Sequence, residues 1–227
     1  MSENDLKELE KVLKEAQPSR LKTLPTKEFS EAITKLYAKL DYIHPFYEGN
    51  SRTLRTFTRQ IARASGYRLE WEKFNQSVAA RDFLYIARDR AVGELAVNHI
   101  RRDSNLRLVV FSMDKYAGNP PLSELIASIT RPARAVYFEK VTEQRAIKAY
   151  SELEQAFKTL HAASAYFAEK LSGNPKAQIE AMKQIRQYIQ GELDAGKTSG
   201  FHRPDKSKTV QTEKMPVKTS KEPDHER

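Results

Sequence analysis

No cysteine occurs in the 227 residues, so the chain can hold no disulfide, no thiolate metal site and no cysteine nucleophile. Any metal must be bound by oxygen or imidazole. No apolar run approaches the roughly 18 residues of a membrane span, and the opening MSENDLKELEKVLKEAQPSR is too charged for a signal peptide. The expectation is a cytoplasmic protein without a membrane segment. Like charges never gather into a block of five or six, and no basic run is interleaved with aromatics, which argues against an extended nucleic-acid contact.

Basic charge is present all the same, with 39 Lys and Arg against 30 Asp and Glu and a net of +9. Its distribution is informative. Residues 1–43 are balanced at eight of each sign, whereas residues 44–103 carry eleven positive and seven negative side chains. The excess begins at His44, which makes phosphate a plausible ligand at a local site.

Phe29, Ala32, Ile33, Leu36, Tyr37, Leu40 and Ile43 recur at three- and four-residue spacing, predicting an amphipathic helix over 26–43. It stops at His44-Pro45, because proline disfavours helical geometry in the residue before it. After the short loop PFYEGN the period resumes from Ser51 through Leu54, Phe57, Thr58, Ile61 and Ala64, and Gly66 is a good C-terminal stop. YRLEW (67–71) reads as a brief extended or turn segment, and residues 76–101 as helical. LRLVVFSM within 104–120 suits a short strand or a buried helix end, and KYAGNPP breaks the chain. Asn119-Pro120-Pro121 offers an N-cap with proline in the first turn of a helix through SELIASI, and further helices follow near 142–155, 156–171 and 175–195. From residue 201 prolines and charges dominate, and a disordered basic tail is expected. The fold class is all-α, divided as 1–103 core, 104–200 helical accessory domain and 201–227 tail.

His44-Pro45-Phe46-Tyr47-Glu48-Gly49-Asn50-Ser51-Arg52-Thr53-Leu54-Arg55 packs unlike reactive groups into twelve residues. Gly49-Asn50-Ser51 can form a backbone nest, since Gly and Asn tolerate positive φ and turn successive N–H groups toward one anion. The nest opens a helix, whose unpaired amides and dipole attract phosphate. Arg52 and Arg55 leave the first turn on one face, each able to grip phosphate oxygens with a planar fork. Glu48 is a lone carboxylate beside that opening, which suits Mg²⁺ shared with phosphate oxygens. His44 offers an imidazole as general base. Taken singly these would be a helix-end histidine, a solvated loop charge and an arginine surface, with Phe46 and Phe57 in the core. Their joint occurrence in this order describes a nucleotide-phosphate site with a base and a metal ligand.

HPFYEGNSRTLR resembles the Fic-family signature HxFx(D/E)GNxRxxR, and ARASGYRLEW is similar to the continuation in bacterial Fic proteins. The likeness covers about residues 26–101. It implies an all-α core that transfers AMP from ATP to a protein Ser, Thr or Tyr hydroxyl, as a bacterial toxin or effector. His44 would deprotonate the hydroxyl, and Glu48 would bind the Mg²⁺ bridging the α- and β-phosphates. Gly49, Asn50 and the Ser51 backbone would line the anion hole, with Arg52 and Arg55 on the β- and γ-phosphates.

The chain departs from the family pattern in three places. Ser51 stands where the family has a second glycine; in left-handed geometry it would cost about 1–2 kcal/mol, in ordinary geometry it is a good N-cap, and tolerance is the expectation. No alternating apolar run in 1–25 supplies the β-hairpin flap that docks the target, so the expectation is a truncated or minimal Fic protein, or one that borrows target docking from elsewhere. The inhibitory (S/T)xxxE(G/N) helix finds only Thr209 to Glu213, followed by Lys214, so a separate antitoxin supplying the glutamate is the expected partner. The alternative is a catalytically decayed Fic fold kept as a binding module.

Residues 149–197, AYSELEQAFKTLHAASAYFAEKL through QIRQYIQGELDAGK, resemble more weakly a KfrB-like helical module of plasmid and conjugation-associated proteins. His161 has no partner at ligand spacing and is expected to pack or face solvent. Arg81-Asp82 and Arg88-Asp89, seven apart, are expected as salt-bridged surface.

Overall fold

A computed structural model describes residues 3–201 of the chain. Eleven α-helices and one pair of short strands make up the described residues, an all-α fold as expected. None of these helices is long and apolar enough to cross a membrane.

The charge-rich opening conceals an apolar stripe, Leu9, Val12 and Ala16, at helical spacing, and Glu3–Glu15 forms α1. Its charged face is tied by Lys7–Glu3 and, across to the third helix, by Lys39–Glu15, both 2.8 Å. After a single turn, α2 (Pro18–Leu21), comes α3 (Thr26–Ile43), which spans the expected residues. The helix that resumes beyond the loop is α4 (Asn50–Ala64). YRL becomes strand β1 (Tyr67–Leu69), Trp71–Asn75 forms a 3₁₀ turn, and α5 (Val78–Ala96) begins at Ser77, whose hydroxyl accepts from Ala80 N at 3.1 Å.

α3 is the axle of the first core. Phe29, Ile33, Leu36, Tyr37 and Leu40 are buried along it, each worth about 1.5–3 kcal/mol of burial. They meet Leu54 and Ala62 of α4, Leu84 and Ala87 of α5, and Trp71. Phe29 stacks on Tyr67 with centroids 4.0 Å apart, and the Tyr37 and Trp71 rings lie 5.2 Å apart.

LRLVVFSM is neither strand nor buried helix end but the middle of α6 (Asp103–Lys115). α6 turns Val109 and Met113 onto Gly93 of α5, where an added Cβ would meet them at 3.2–3.3 Å, and leaves Leu108 and Phe111 largely exposed. Following the break, α7 (Leu122–Ile129) returns Leu122, Ile126 and Ile129 to the first core. Strand β2 (Thr130–Pro132) then pairs antiparallel with β1, Arg68 opposite Arg131.

The second core starts at α8 (Ala133–Lys140) and takes in α9 (Glu143–Ala149), α10 (Leu153–Lys170) and α11 (Pro175–Asp194). The helices expected at 142–155 and 156–171 thus break earlier, at 150–152, and α10 runs unbroken through 156. Asn174 caps α11 by accepting from Ala177 N at 3.1 Å. Ala135, Phe138, Leu153, Phe157, Ile189 and Leu193 form its centre, together with Phe201. That last residue was assigned to the tail; its ring is buried, and residues 202–227 of the expected tail lie outside the described residues.

Where the two cores meet, Glu70 is 2% exposed and its carboxylate takes Lys73 at 2.9 Å and Lys140 at 3.0 Å. Burial alone would raise its pKa, but the Lys73 and Lys140 hydrogen bonds outweigh it and the net direction is down. A carboxyl held below its unfolded value stabilises the fold above the unfolded pKa of about 4.3 and loses that contribution as pH falls through the folded value. Glu70→Gln should therefore lower the melting temperature at pH 7 by an amount equivalent to about 1–3 kcal/mol. Melting curves taken down to pH 3 should show the gap between the two proteins closing below about pH 4.5.

Candidate active site

Proline at 45 bars the right-handed helical region to the residue before it, so α3 ends at His44. The His44 N–H still donates to Leu40 O at 3.1 Å, and its backbone turns to φ 48°, ψ 60°. It has the only positive φ of any non-glycine among the described residues, a conformation that costs of order 1–3 kcal/mol. The side chain is exposed at the mouth of the loop.

Asn50 holds the loop shut. Its side chain is buried, Nδ2 donates to Phe46 O at 2.6 Å, and Oδ1 accepts from Phe46 N at 3.0 Å. That pair of bonds fixes the ends of a five-residue turn whose tip, Tyr47, is 99% exposed. Phe46 is half-exposed rather than core, because its backbone and not its ring is what the fold grips; Phe57 packs partly buried against the first core.

Gly49 sits at φ 76° and caps α4. Nothing lies within 4 Å of a Cβ built there, so the angle and not the space calls for glycine. The first helical bond runs from Thr53 N to Gly49 O at 3.0 Å, which leaves the amides of Asn50, Ser51 and Arg52 without an intrahelical acceptor. The helix dipole adds to their attraction for an anion.

Ser51 is not the cap. It lies inside α4 with ordinary φ, so the residue at the family's second glycine carries no left-handed strain. Its carbonyl accepts from Arg55 Nε at 3.2 Å and its hydroxyl from Arg88 Nη1 at 3.4 Å. Arg52 is exposed, and Arg55 half-buried, one turn on. Glu48 is exposed on the loop and makes no ion pair among the described residues, leaving its carboxylate available to a cation.

Arg88 is the residue that sequence reasoning missed. Expected as surface beside Asp89, it is instead buried and pairs with Asp41 of α3, Nε to Oδ2 at 3.0 Å and Nη2 to Oδ1 at 2.8 Å. The two side chains are only 11% and 5% exposed, and the guanidinium also lies 5.9 Å from the Tyr37 ring centroid. Burial pulls the Arg88 pKa down, but the Asp41 hydrogen bonds, with the negative groups around it, outweigh this and leave it raised. The buried Tyr37 hydroxyl has no hydrogen-bond partner of good geometry and is raised by burial first, against the opposing pull of Arg88. A carboxylate on the buried stripe of α3, four residues after Tyr37, was the available signal, since a buried charge requires a partner.

No cluster of three or more His, Asp or Glu able to hold a metal alone exists among the described residues. A divalent ion would need oxygens from a ligand in addition to Glu48. His161 is exposed, as expected for one of its two alternatives, and faces Glu143 at 2.9 Å.

The model of the Fic/DOC family matches residues 2–62, which takes in α1 to α3, the loop and nearly all of α4. The match starts earlier than the expected 26–101 and ends before β1. Two curated proteins resemble part of the chain. Protein adenylyltransferase VbhT of Bartonella schoenbuchensis is 38% identical over 66 residues, covering 29% of this chain and 14% of the relative. A protein adenylyltransferase of Bartonella henselae is 38% identical over 56 residues, covering 25% of this chain and 10% of the relative. The chain therefore spans a small fraction of these relatives, and each likeness covers less than a third of the chain. No solved structure matches. The likeness to the Fic/DOC family thus rests on residues 2–62.

Proposed function

We propose that the chain is a protein adenylyltransferase of bacterial toxin or effector type, transferring AMP from ATP to a Ser, Thr or Tyr hydroxyl of a target protein. One observation carries the reading: a base, a lone carboxylate, three unpaired amides and two arginines share one loop and the helix turn behind it. His44 takes the proton of the attacking hydroxyl as its oxygen bonds to the α-phosphorus, while the bond from that phosphorus to the α,β-bridging oxygen breaks and pyrophosphate leaves. The amides of Asn50, Ser51 and Arg52 receive the phosphate oxygens. Arg52 and Arg55 hold the β- and γ-phosphates and neutralise charge growing on the leaving group.

Glu48 fits Mg²⁺ in one respect: a single unpaired carboxylate beside a phosphate cradle is the donor set this ion takes when phosphates complete its shell. Bound there, Mg²⁺ supplies neutralisation of phosphate charge. Among the described residues no strand precedes His44, and the sequence of residues 3–201 holds no (S/T)xxxE(G/N) segment. Thr209 to Glu213 lies outside them. On this reading the partner is a separate antitoxin whose glutamate engages Arg55.

Incubation of the full chain with ATP labelled at the α- or the γ-phosphate, in a bacterial lysate, tests the proposal. Label reaching protein from the α position alone is the expected result; transfer from the γ position would make the chain a kinase. ATP with Mg²⁺ at about 100 times its dissociation constant should also stabilise the fold by about 2.7 kcal/mol. Neither transfer nor stabilisation would leave the decayed binding module.

A further inference from the structure

The motif arginines begin a longer series. Arg52, Arg55, Arg59 and Arg63 follow one another at three- and four-residue spacing, so they line one face of α4 over about 16 Å at 1.5 Å per residue. The far end of this stripe opens into a cavity of about 560 Å³ at the seam of the two cores, lined by Arg59, Arg63, Arg68, Glu72, Tyr137 and Tyr150 among others. Its volume falls in the range of small-molecule sites, about 300–1,000 Å³.

Charge in this cleft is not balanced. Glu72 meets Arg59 at 3.5 Å, with both side chains half-exposed. Arg63 and Arg68 form no ion pair among the described residues. The contrast with Arg131 is direct, because it stands opposite Arg68 in the strand pair yet is held by Asp194 at 2.9 Å and Glu139 at 2.7 Å. Three guanidinium groups against one carboxylate leave two positive charges around one cavity, close to the charge of a phosphate monoester at neutral pH.

On the other wall, Tyr137 and Tyr150 meet edge to face at 5.0 Å, half-buried, and neither hydroxyl hydrogen bonds within the described residues. Burial raises the Tyr150 hydroxyl, so it is present as a neutral donor. Planar forks for phosphate beside phenol rings are the two elements that recognise a nucleotide, one for the phosphate and one for the base. An acidic peptide would use the forks but has no use for the rings.

We propose that this cleft binds a nucleoside phosphate, separately from the loop at His44. The ligand is either a free mononucleotide or the 5′-phosphorylated end of a single strand; both present the same chemistry. Because α4 and β1 supply one wall and α8 with Tyr150, just after α9, the other, occupancy clamps the two cores together.

The test uses the full chain carrying Arg52→Ala and Arg55→Ala, which weakens phosphate binding at the loop. 5′-AMP, a 5′-phosphorylated single-stranded DNA hexamer and hexaglutamate are titrated separately by calorimetry. Saturation near one per chain by AMP or by the hexamer is expected, with a tenfold or greater loss on adding Arg63→Ala and Arg68→Ala. Similar affinities for AMP and the hexamer would assign the free nucleotide. A hexamer at least tenfold tighter, weakening steeply with salt, would assign the strand. Tyr150→Ala should cost several-fold and Tyr150→Phe much less. Circular-dichroism melts of the arginine variants, both exposed sites, should match the parent without ligand. The proposal is overturned by no saturable binding of either nucleotide ligand, by binding that survives loss of Arg63 and Arg68, or by preference for hexaglutamate. None of these readouts depends on whether the loop transfers AMP.

Discussion

His44→Ala is expected to lower adenylyl transfer by about 10²–10⁴-fold, the range for loss of a positioned general base, while the dissociation constant for ATP with Mg²⁺ stays within about twofold of the parent. The side chain is exposed, so its loss removes a reacting group and little packing. The backbone bond from His44 N to Leu40 O is kept by alanine, which preserves the end of α3. Initial rates with α-labelled ATP, nucleotide titration and a thermal melt on the same preparation check the three parts together. A variant that transfers within tenfold of the parent would remove His44 from the role of base. A parallel loss of ATP binding would show instead that the alanine has disturbed the loop. Arg55→Ala should give the opposite pattern, with weaker nucleotide binding, because in the proposed reaction its side chain holds the phosphates and not the hydroxyl.

The parts of the site legible in sequence were those dictated by local chemistry. Pro45 alone fixes the end of α3, and the glycine at 49 announces positive φ whatever surrounds it. The helix over 26–43 was equally legible, since its apolar stripe is uninterrupted. What escaped were contacts between elements far apart in sequence. Arg88 looks like any surface arginine beside an aspartate; only the packing of α5 against α3 brings it to Asp41, 47 residues earlier. Ser51 was legible as a departure from the family pattern that the fold tolerates, but not in its exact place, because the start of α4 moved from Ser51 to Asn50 and took Ser51 from the cap into the helix. α1 was hidden for a different reason: its stripe of Leu9, Val12 and Ala16 is only three residues wide within a charged segment. In α6 Val109 and Met113 turn toward α5 while Leu108, Val110 and Phe111 stay exposed, so hydropathy pointed to more burial than the fold provides.

Asp41 is the residue whose loss should damage stability most. Asp41→Ala leaves the Arg88 guanidinium buried without its bidentate partner, and breaking such a pair costs about 3–5 kcal/mol. In a chain of this size that corresponds to a fall of roughly 10 °C in melting temperature. Replacing both partners by apolar residues, Asp41→Leu with Arg88→Met, should recover most of the loss, since the pair's own Coulomb gain is largely offset by its desolvation. The double variant keeps the fold but removes the donor to the Ser51 hydroxyl, which separates stability from function. If Arg88 also steadies the first turn of α4, the double variant should melt near the parent yet bind ATP several-fold more weakly, with the maximal transfer rate nearly unchanged. Nucleotide binding equal to the parent's would confine the Asp41–Arg88 pair to the core beneath the loop. A double variant melting as low as Asp41→Ala would mean that the pair itself, and not the stranded charge, carries the stability.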